Sequence, residues 1–259
     1  MGEVASRWRA RTWHVSLESL ILANGSRVHH LESCDSTMDE ARAHARNGAP
    51  HLTTVWAETQ TAGRGRQGRV WQSQAGCGLY FTVIARINLE PRQYGLLPLL
   101  VGAILCSSVR DLTGVQASLK WPNDLLAPDG RKLAGILVER DAKSSSFLIG
   151  VGLNVKVQPF DVPAASLEEF CAPVDRVSLL LELLARLGDE LLEVGPERTL
   201  ELWMAQQNML GQPVNITYMN GSSFVGTALE ITSTGTLRVQ TGTNIHEVSS
   251  GEVSLRLSL

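Results

Sequence analysis

The feature that most limits the fold is a turn-forming segment between two apolar runs in the middle of the chain. The segment is Ala127-Pro-Asp-Gly-Arg131, and the runs cover residues 118–126 and 132–140. Proline presets φ, aspartate can bond back to the backbone, and glycine tolerates a positive φ, so this segment is typical of a tight hairpin turn. A third β-rich run follows at 147–157. The three runs predict an antiparallel meander at the centre of a sheet.

Helical segments accompany this predicted sheet. Ser36 or Thr37 can cap a helix that runs to Arg46 and stops at Asn47-Gly48. Asp39 and Glu40 in its first turn suit the positive end of the helix dipole. Further helices are predicted at 92–112 and 178–208, and further strands at 53–58 and 78–86. The predicted fold class is α/β (α+β), with a mixed, mostly antiparallel sheet and helices packed on one face.

The character of the sequence changes after Gly211. Residues 211–259 contain five short β-rich segments joined by Asn-Gly, Thr-Gly and Ser-Gly turns, which predict a small β-barrel. Residues 1–27 lack a clear period, and they are too few for a DNA-binding winged helix. We therefore predict an N-terminal extension at 1–27, a large domain at 28–210 and a barrel at 211–259.

Composition excludes several classes of protein. The chain has 259 residues, of which 44% are hydrophobic and 19% charged, and its net charge is −3. It is too apolar for a disordered chain and too neutral for a protein that mainly coats nucleic acid. The longest apolar stretch, 96–106, is interrupted by Pro98, so no membrane span is predicted. With no secretory signal and four scattered cysteines, we expect reduced thiols and a cytoplasmic location.

The most unusual segment is Gly63-Arg-Gly-Arg-Gln-Gly-Arg69. Its glycines let backbone N–H groups approach an anion, and its arginines offer bidentate donors for phosphate or carboxylate. The segment matches G-x-G-x-x-G, but no helix follows and the next acidic residue is Glu90, so a dinucleotide fold is disfavoured. Taken alone, the loop is as compatible with a solvated loop or an RNA-binding loop as with an anion site. Trp71 and Tyr80 follow it and offer flat faces for a ring.

Together with other segments, this loop resembles the biotin–protein ligases, or biotin–[acetyl-CoA-carboxylase] ligases. The matching segments, in chain order, are Asp35-Ser-Thr, Glu58-Thr-Gln-Thr-Ala-Gly-Arg-Gly-Arg-Gln-Gly-Arg69, Lys120-Trp-Pro-Asn-Asp124, Arg131-Lys-Leu-Ala-Gly-Ile-Leu-Val-Glu139 and Ile149-Gly-Val-Gly-Leu-Asn154. The resemblance is strong over residues 30–157 and is to the type without an N-terminal DNA-binding domain. It implies that residues 28–210 form the catalytic ligase domain and that the C-terminal barrel is SH3-like.

The resemblance also implies an activity. In that family, ATP activates biotin to biotinyl-5′-adenylate, and biotin then passes to a lysine of a biotin carboxyl carrier protein. ATP and Mg²⁺ are therefore the expected cofactors, with biotin as a substrate. The expected partners are biotin, ATP and the carrier protein, with no DNA and no membrane, for a chain that is a monomer or a homodimer.

Individual residues follow from the same resemblance. The biotin-binding residues it implies are Ser36, Thr37, Gln60, Arg64, Gly65, Arg66, Lys132 and Gly135. The nucleotide-binding residues it implies are Arg66, Arg69, Trp71, Lys120, Asn123 and Asn154. Lys132 and Arg64 are the implied catalytic residues. Met38 stands where the family commonly has asparagine.

The chemistry explains why lysine and arginine belong in such a site. A carboxylate and a triphosphate repel each other, and a cation between them stabilises the charge that develops at the α-phosphate. Lys132 is a compact point charge that suits this task. Lys120 has two interpretations, a phosphate contact or an ion pair with Glu139 across the hairpin, and the ion pair is slightly favoured. Asp124 is a candidate Mg²⁺ ligand, although a turn role is equally compatible.

Two further hypotheses concern the loop and the function. We predict that residues 64–69 become ordered over the adenylate and exclude water, because the adenylate is a mixed anhydride that water would destroy. Two alternative functions stay open: a lipoate- or octanoate-type acyl ligase or transferase on the same fold, and a basic-loop nucleic-acid-binding module. The Lys-Trp-Pro-Asn-Asp segment argues against the first, and a salt titration of nucleic-acid binding tests the second.

Overall fold

The structure is a computed structural model, and it describes residues 20–21, 26–250 and 253–257. Its larger sheet is built from the N-terminal two thirds of the chain. The strands are Leu20–Ile21 (β1), Arg27–Leu31 (β2), Thr54–Ala57 (β3), Gly78–Ala85 (β4), Ser118–Lys120 (β5), Asp124–Leu126 (β6), Lys132–Asp141 (β7) and Ser146–Asn154 (β8). Most of the predicted N-terminal extension lies outside the described residues.

The order of strands in this sheet is β1-β2-β3-β4-β8-β7-β6-β5. β2 and β3 run parallel, and the other neighbouring pairs are antiparallel. The predicted mixed, mostly antiparallel sheet is therefore confirmed. The predicted meander is also present, because β7 and β8 pair along most of their length, with Gly135 opposite Gly152.

One predicted strand is wrong in its extent. Residues 118–126 form two short strands, β5 and β6, which fold back on each other and pair Lys120 with Asp124. Pro122 has no N–H for a ladder, so a continuous strand through this position would lose a hydrogen bond. The reversal places Trp121, Pro122 and Asn123 at the end of this small hairpin.

Helices cover both faces of the sheet, which corrects the expectation that they pack on one face. The helices are Thr37–Arg46 (α1), Leu96–Thr113 (α2), Arg176–Glu190 (α3) and Pro196–Met204 (α4). Ile84 of β4 packs with α1, whereas its neighbour Val83 belongs to the core formed with α2 and α3. Successive side chains of a strand point to opposite faces, so α1 lies on one face and α2 and α3 on the other. All eight residues of β4 are buried, as expected for a strand covered on both sides.

The second helix is the most apolar element of the fold. The helical segment Pro91–Thr113 is long and apolar enough to cross a membrane by length and composition, with a mean hydropathy of 1.6. Twelve residues of α2 are buried inside the protein, against the sheet and the neighbouring helices. Its burial accounts for its apolarity, and Gly114 ends it with a positive φ of 75°.

A five-stranded antiparallel sheet follows the helices and corresponds to the predicted barrel. Its strands are Pro213–Tyr218 (β9), Ser223–Ile231 (β10), Leu237–Thr241 (β11), Asn244–Val248 (β12) and Val253–Leu257 (β13). Their order is β12-β11-β10-β9-β13. Val214, Leu237 and Val239 of this sheet belong to the same hydrophobic core as Trp121 and α2. The barrel is therefore packed against the large domain through apolar side chains.

Candidate functional site

One end of the site is formed where α1 begins. Ser36 is buried and caps the helix, accepting a hydrogen bond from the Met38 backbone N–H. Thr37 donates to the side-chain oxygen of Gln60 from its backbone nitrogen, at 2.9 Å, and from its hydroxyl, at 3.1 Å. Thr82 of β4 donates in turn to the Thr37 hydroxyl at 2.9 Å. The predicted residues Ser36, Thr37 and Gln60 are thus brought together, and Thr82 is an additional member that the sequence analysis missed.

Met38 packs on the sheet beside this group. It is 3% exposed and lies in an apolar cluster with Val55, Ile84 and Leu148. A Cβ atom added to Gly150 would lie 2.9 Å from the Met38 sulfur, so a larger residue there would displace the Met38 side chain. The Met38 side chain therefore fills the space between α1 and the sheet.

Two paired glycines form a flat floor, and an aromatic ring rests on it. A Cβ atom at Gly152 would lie 2.4 Å from the Trp71 indole, and one at Gly135 would lie 3.1 Å from it. The Lys132 ammonium is 5.5 Å from the Trp71 ring centroid, a distance at which a cation attracts an aromatic face. The Trp71 Nε1 atom is buried and has no hydrogen-bond partner among the residues that the structure describes. Gly152 was not predicted as a site residue, although its pairing with Gly135 follows from the meander.

The glycine- and arginine-rich loop folds as a compact hairpin beside the floor. The backbone nitrogen of Trp71 donates to the Gly63 carbonyl at 2.9 Å, and that of Gly65 to the Arg69 carbonyl at 2.7 Å. Gln67 and Gly68 occupy the left-handed region, with φ of 57° and 71°, which closes the turn. Arg69 is exposed at the base of this hairpin.

Arg64 attaches the loop to α1. Its guanidinium donates to both carboxylate oxygens of Asp39, at 2.6 and 2.7 Å. These hydrogen bonds lower the pKa of Asp39, although partial burial opposes them. Arg42 bonds the same carboxylate and also Glu139 of β7, so the contact extends to the sheet. From the sequence, Asp39 was expected only to suit the helix dipole, and its contact with the loop was not predicted.

Arg66 points inward, towards the hairpin of β5 and β6. Its guanidinium donates to the side-chain oxygen of Asn123 at 3.1 Å. The Asn123 amide group donates to the Ile136 carbonyl at 2.7 Å, which fixes its orientation. Burial lowers the pKa of Arg66, and the negative charge of Asp124 opposes this change. Arg66 and Asn123, both predicted on the nucleotide side, are therefore in direct contact.

Two lysines share one partly buried carboxylate. Asp124 accepts from Lys132 at 2.5 Å and from Lys120 at 2.9 Å, one ammonium on each oxygen. Burial raises the pKa of Asp124, but the two ammonium charges outweigh it and the pKa is lowered overall. The carboxylate thus holds both lysines at the edge of the floor.

Two expectations change as a result of this cluster. The predicted ion pair of Lys120 with Glu139 is wrong, because Lys120 faces Asp124 across its own hairpin and Glu139 bonds Arg42. The candidate role of Asp124 as a Mg²⁺ ligand is disfavoured, because both of its oxygens are already engaged by ammonium groups. Among the described residues, no group of three or more His, Cys, Asp or Glu side chains is placed to hold a metal ion.

Asn154 lies at the end of β8 and organises the backbone behind Lys132. Its amide nitrogen donates to the Ala165 carbonyl at 3.1 Å, and its side chain is buried. The Ala165 nitrogen donates in turn to the Lys132 carbonyl at 2.9 Å. The described contacts of Asn154 are therefore with the protein backbone.

Known protein families match this sequence along most of the chain. The biotin/lipoate A/B protein ligase family matches residues 31–156, and the biotin protein ligase C terminal domain matches 209–256. The fold and site thus define a protein ligase of the biotin/lipoate class. The biotin--[acetyl-CoA-carboxylase] ligase of Mycobacterium tuberculosis is 34% identical over 252 residues, which cover 92% of this chain and 93% of that protein. This chain belongs to the biotin protein ligase family.

Other relatives agree with this assignment. The bifunctional ligase/repressor BirA of Bacillus subtilis is 33% identical over 245 residues, covering 89% of this chain and 74% of that protein. The biotin protein ligase from Aquifex aeolicus, solved in complex with biotin and ATP, is 28% identical with a TM-score of 0.74. That superposition covers 89% of this chain and 99% of the solved one.

Proposed function

We propose that this protein activates biotin with ATP to form biotinyl-5′-adenylate and then transfers biotin to a lysine of a biotin carboxyl carrier protein. The observation that carries the proposal is the pair Lys120 and Lys132, held by one partly buried carboxylate between an uncharged floor and an arginine-bearing loop. Such a site presents positive charge where two anions must meet. The names of the relatives and the biotin and ATP bound to the Aquifex aeolicus enzyme support the same reaction.

Biotin is assigned to the floor and the beginning of α1. Its bicyclic ring joins a polar ureido group, which suits hydrogen-bonding side chains, to an apolar thioether ring, which suits a glycine surface. The Trp71 indole rests on that surface, so it must move aside as biotin enters. The residues around the ring are Ser36, Thr37, Gln60, Gly65 and Gly135, and those around its carboxylate are Arg64, Arg66 and Lys132. Arg64 must leave Asp39 to reach the carboxylate, so substrate binding exchanges one carboxylate partner for another.

ATP is assigned to the hairpin side of the site. The residues we place there are Arg66, Arg69, Trp71, Lys120, Asn123 and Asn154. Mg²⁺ would enter with the nucleotide, because this ion usually keeps several waters and is held largely by phosphate oxygens. Asp124 instead positions the two lysines before the substrates bind.

The reaction then proceeds in two displacements. An oxygen of the biotin carboxylate attacks the α-phosphorus of ATP, and pyrophosphate leaves. Lys132 lies where it can neutralise both the carboxylate and the phosphate, which lowers their repulsion. In the second step the carrier lysine amine attacks the acyl carbon and AMP leaves, while the loop at 64–69 keeps water from the anhydride.

The test is exchange of labelled pyrophosphate into ATP. We expect exchange that requires biotin, and no exchange with biotin methyl ester, which keeps the ring but lacks the free carboxylate. Exchange supported by lipoate or octanoate instead would favour the alternative acyl ligase. No exchange with any of these acids, together with salt-sensitive RNA or DNA binding, would favour the nucleic-acid module.

The transfer step and the setting of the protein are tested separately. Biotin should appear on a purified carrier domain with its acceptor lysine intact, and not on a carrier with that lysine changed to arginine. Cys34, Cys77, Cys106 and Cys171 are all free thiols, which supports the proposed cytoplasmic location. The proposed state, monomer or homodimer, is measured by sedimentation with and without biotin and ATP.

A further inference from the structure

A single tryptophan joins the lysine-bearing hairpin to the barrel. Trp121 is fully buried, and its indole N–H donates to the Gly235 carbonyl at 3.0 Å. Gly235 lies in the turn between β10 and β11, so this hydrogen bond connects residues 114 positions apart in the chain. A buried hydrogen bond of this kind fixes both partners, because leaving the carbonyl unpaired would be costly.

The barrel turn is built to hold its position. The Thr232 hydroxyl accepts from the backbone nitrogens of Thr234 and Thr236, at 3.3 and 3.2 Å. Gly235 has a φ of 80°, and a Cβ atom there would lie 2.6 Å from the Gly95 backbone. The turn at 232–236 is therefore ordered internally and fitted closely against the chain just before α2.

The other side of Trp121 is the nucleotide side of the proposed site. Lys120 precedes it directly, and Asn123 and Asp124 follow within three positions. Lys120 and Asp124 form an ion pair across the hairpin that contains Trp121, and the Asn123 side chain accepts a hydrogen bond from Arg66. A shift of the indole must therefore move these groups, since the hairpin is only three residues long on each side.

We propose that Trp121 is a positioning residue for the nucleotide, and that the barrel turn at 232–236 sets its place. The inference rests on the proposed function, because it assigns the hairpin to ATP. Thr37 and Gln60, at the biotin end, are held by α1 and by the segment after β3, and not by this hairpin. The arrangement predicts that loosening Trp121 weakens ATP use and leaves biotin use largely intact.

The experiment compares three single variants of the full chain. Trp121→Phe removes the indole N–H and keeps an aromatic ring, and Thr232→Val removes the hydroxyl that organises the barrel turn. The matched control is Trp56→Phe, because Trp56 is equally a buried tryptophan, but its indole nitrogen has no hydrogen-bond partner among the described residues. Steady-state KM values for ATP and for biotin are measured by pyrophosphate release with excess carrier domain as the acceptor, and thermal melting reports the fold.

We expect Trp121→Phe to raise the KM for ATP by about five- to tenfold, the effect of one buried hydrogen bond left unmade. The KM for biotin should stay within about twofold. Thr232→Val should also raise the KM for ATP. The double variant Trp121→Phe/Thr232→Val should raise it by less than the product of the two single effects, because both changes act through one contact. Trp56→Phe should lower the melting temperature without changing either KM.

A merely structural role gives a different result. If Trp121→Phe lowers the melting temperature but leaves both KM values at the wild-type level, the inference is wrong. An equal rise in the KM for ATP in Trp56→Phe would also overturn it. If Trp121→Phe does not fold, Thr232→Val tests the inference alone: a raised KM for ATP with an unchanged KM for biotin supports it, and two unchanged KM values contradict it. Failure of the wild-type protein to release pyrophosphate with biotin would instead contradict the proposed function, so the two failures are distinct.

Discussion

Replacing Asp124 by asparagine tests the arrangement of charge at the centre of the site. The substitution keeps the shape of the side chain and removes the charge that holds Lys120 and Lys132. The asparagine oxygen can still accept from one ammonium group. The other ammonium group then lies near a like charge without a counter-ion, in a place where the Asp124 side chain was only 14% exposed.

The size of the effect follows from the distances. Each ammonium lies within 2.9 Å of a different oxygen of the same carboxylate. At a separation of roughly 6 Å and an effective dielectric constant of about 20, the two positive charges repel by roughly 3 kcal/mol. The Lys132 side chain is 34% exposed, so solvent screens part of this repulsion. We therefore expect Asp124→Asn to lower the free energy of unfolding by about 2 kcal/mol.

The assay is urea denaturation at pH 7, in two backgrounds. At a slope of roughly 2–3 kcal/mol per molar urea, the midpoint of Asp124→Asn should fall by about 0.7–1 M. Lys120→Met should lower stability in the wild-type background, where it leaves Asp124 with one partner. In the Asp124→Asn background the same change should raise stability, because it removes the repelling charge.

The pH dependence gives a second check. The fold lowers the pKa of Asp124, so its carboxylate contributes full stability above the pKa of the unfolded chain, near 4. This contribution is lost as the pH falls through the lower folded-state pKa. The difference between wild type and Asp124→Asn should stay constant from pH 7 to about 5 and shrink in more acidic solution. A Lys120→Met change that destabilises both backgrounds equally would refute the shared-carboxylate argument.

Three further substitutions test other parts of the site. Gly152→Ala places a methyl group against the indole and should weaken biotin binding by about tenfold in calorimetric titration, whereas Gly102→Ala, with its nearest atoms at 3.4 Å, should not. Lys132→Ala should slow pyrophosphate exchange by about a hundredfold, and full exchange would contradict its role. Arg64→Gln should change the free energy of unfolding by less than about 1 kcal/mol, because its ion pair with Asp39 is exposed. It should nevertheless increase protease cleavage of the loop in the absence of substrates. Unchanged cleavage would argue against the attachment of the loop to α1.

Sequence patterns were sufficient for much of the fold. The turn at 127–131, the cap at Ser36 and the five short strands after Gly211 are local features, and each is present where it was predicted. The split of residues 118–126 into two strands was missed, because an apolar run does not reveal where a strand reverses. The placement of α1 opposite α2 was also missed, although a β4 without charged residues and mostly apolar is the pattern of a strand covered on both faces.

The site was predicted less completely than the fold. Motifs identified the lysines, the arginines and the Thr37–Gln60 pair, because these residue types carry the chemistry. The partners that orient them were not predicted: Asp39 for Arg64, and Asp124 for the two lysines. Partners of this kind come together only when distant segments pack, and their spacing in the sequence carries no signal.

The central claim is that Lys132 and the loop arginines neutralise two anions at one place. It is tested most directly by a crystal structure of the protein with biotin and a non-hydrolysable ATP analogue. We expect the Lys132 ammonium and the Arg66 guanidinium within hydrogen-bond distance of the biotin carboxylate or the α-phosphate, with residues 64–69 closed over both. A loop turned into solvent, with the biotin carboxylate far from Lys132, would contradict it.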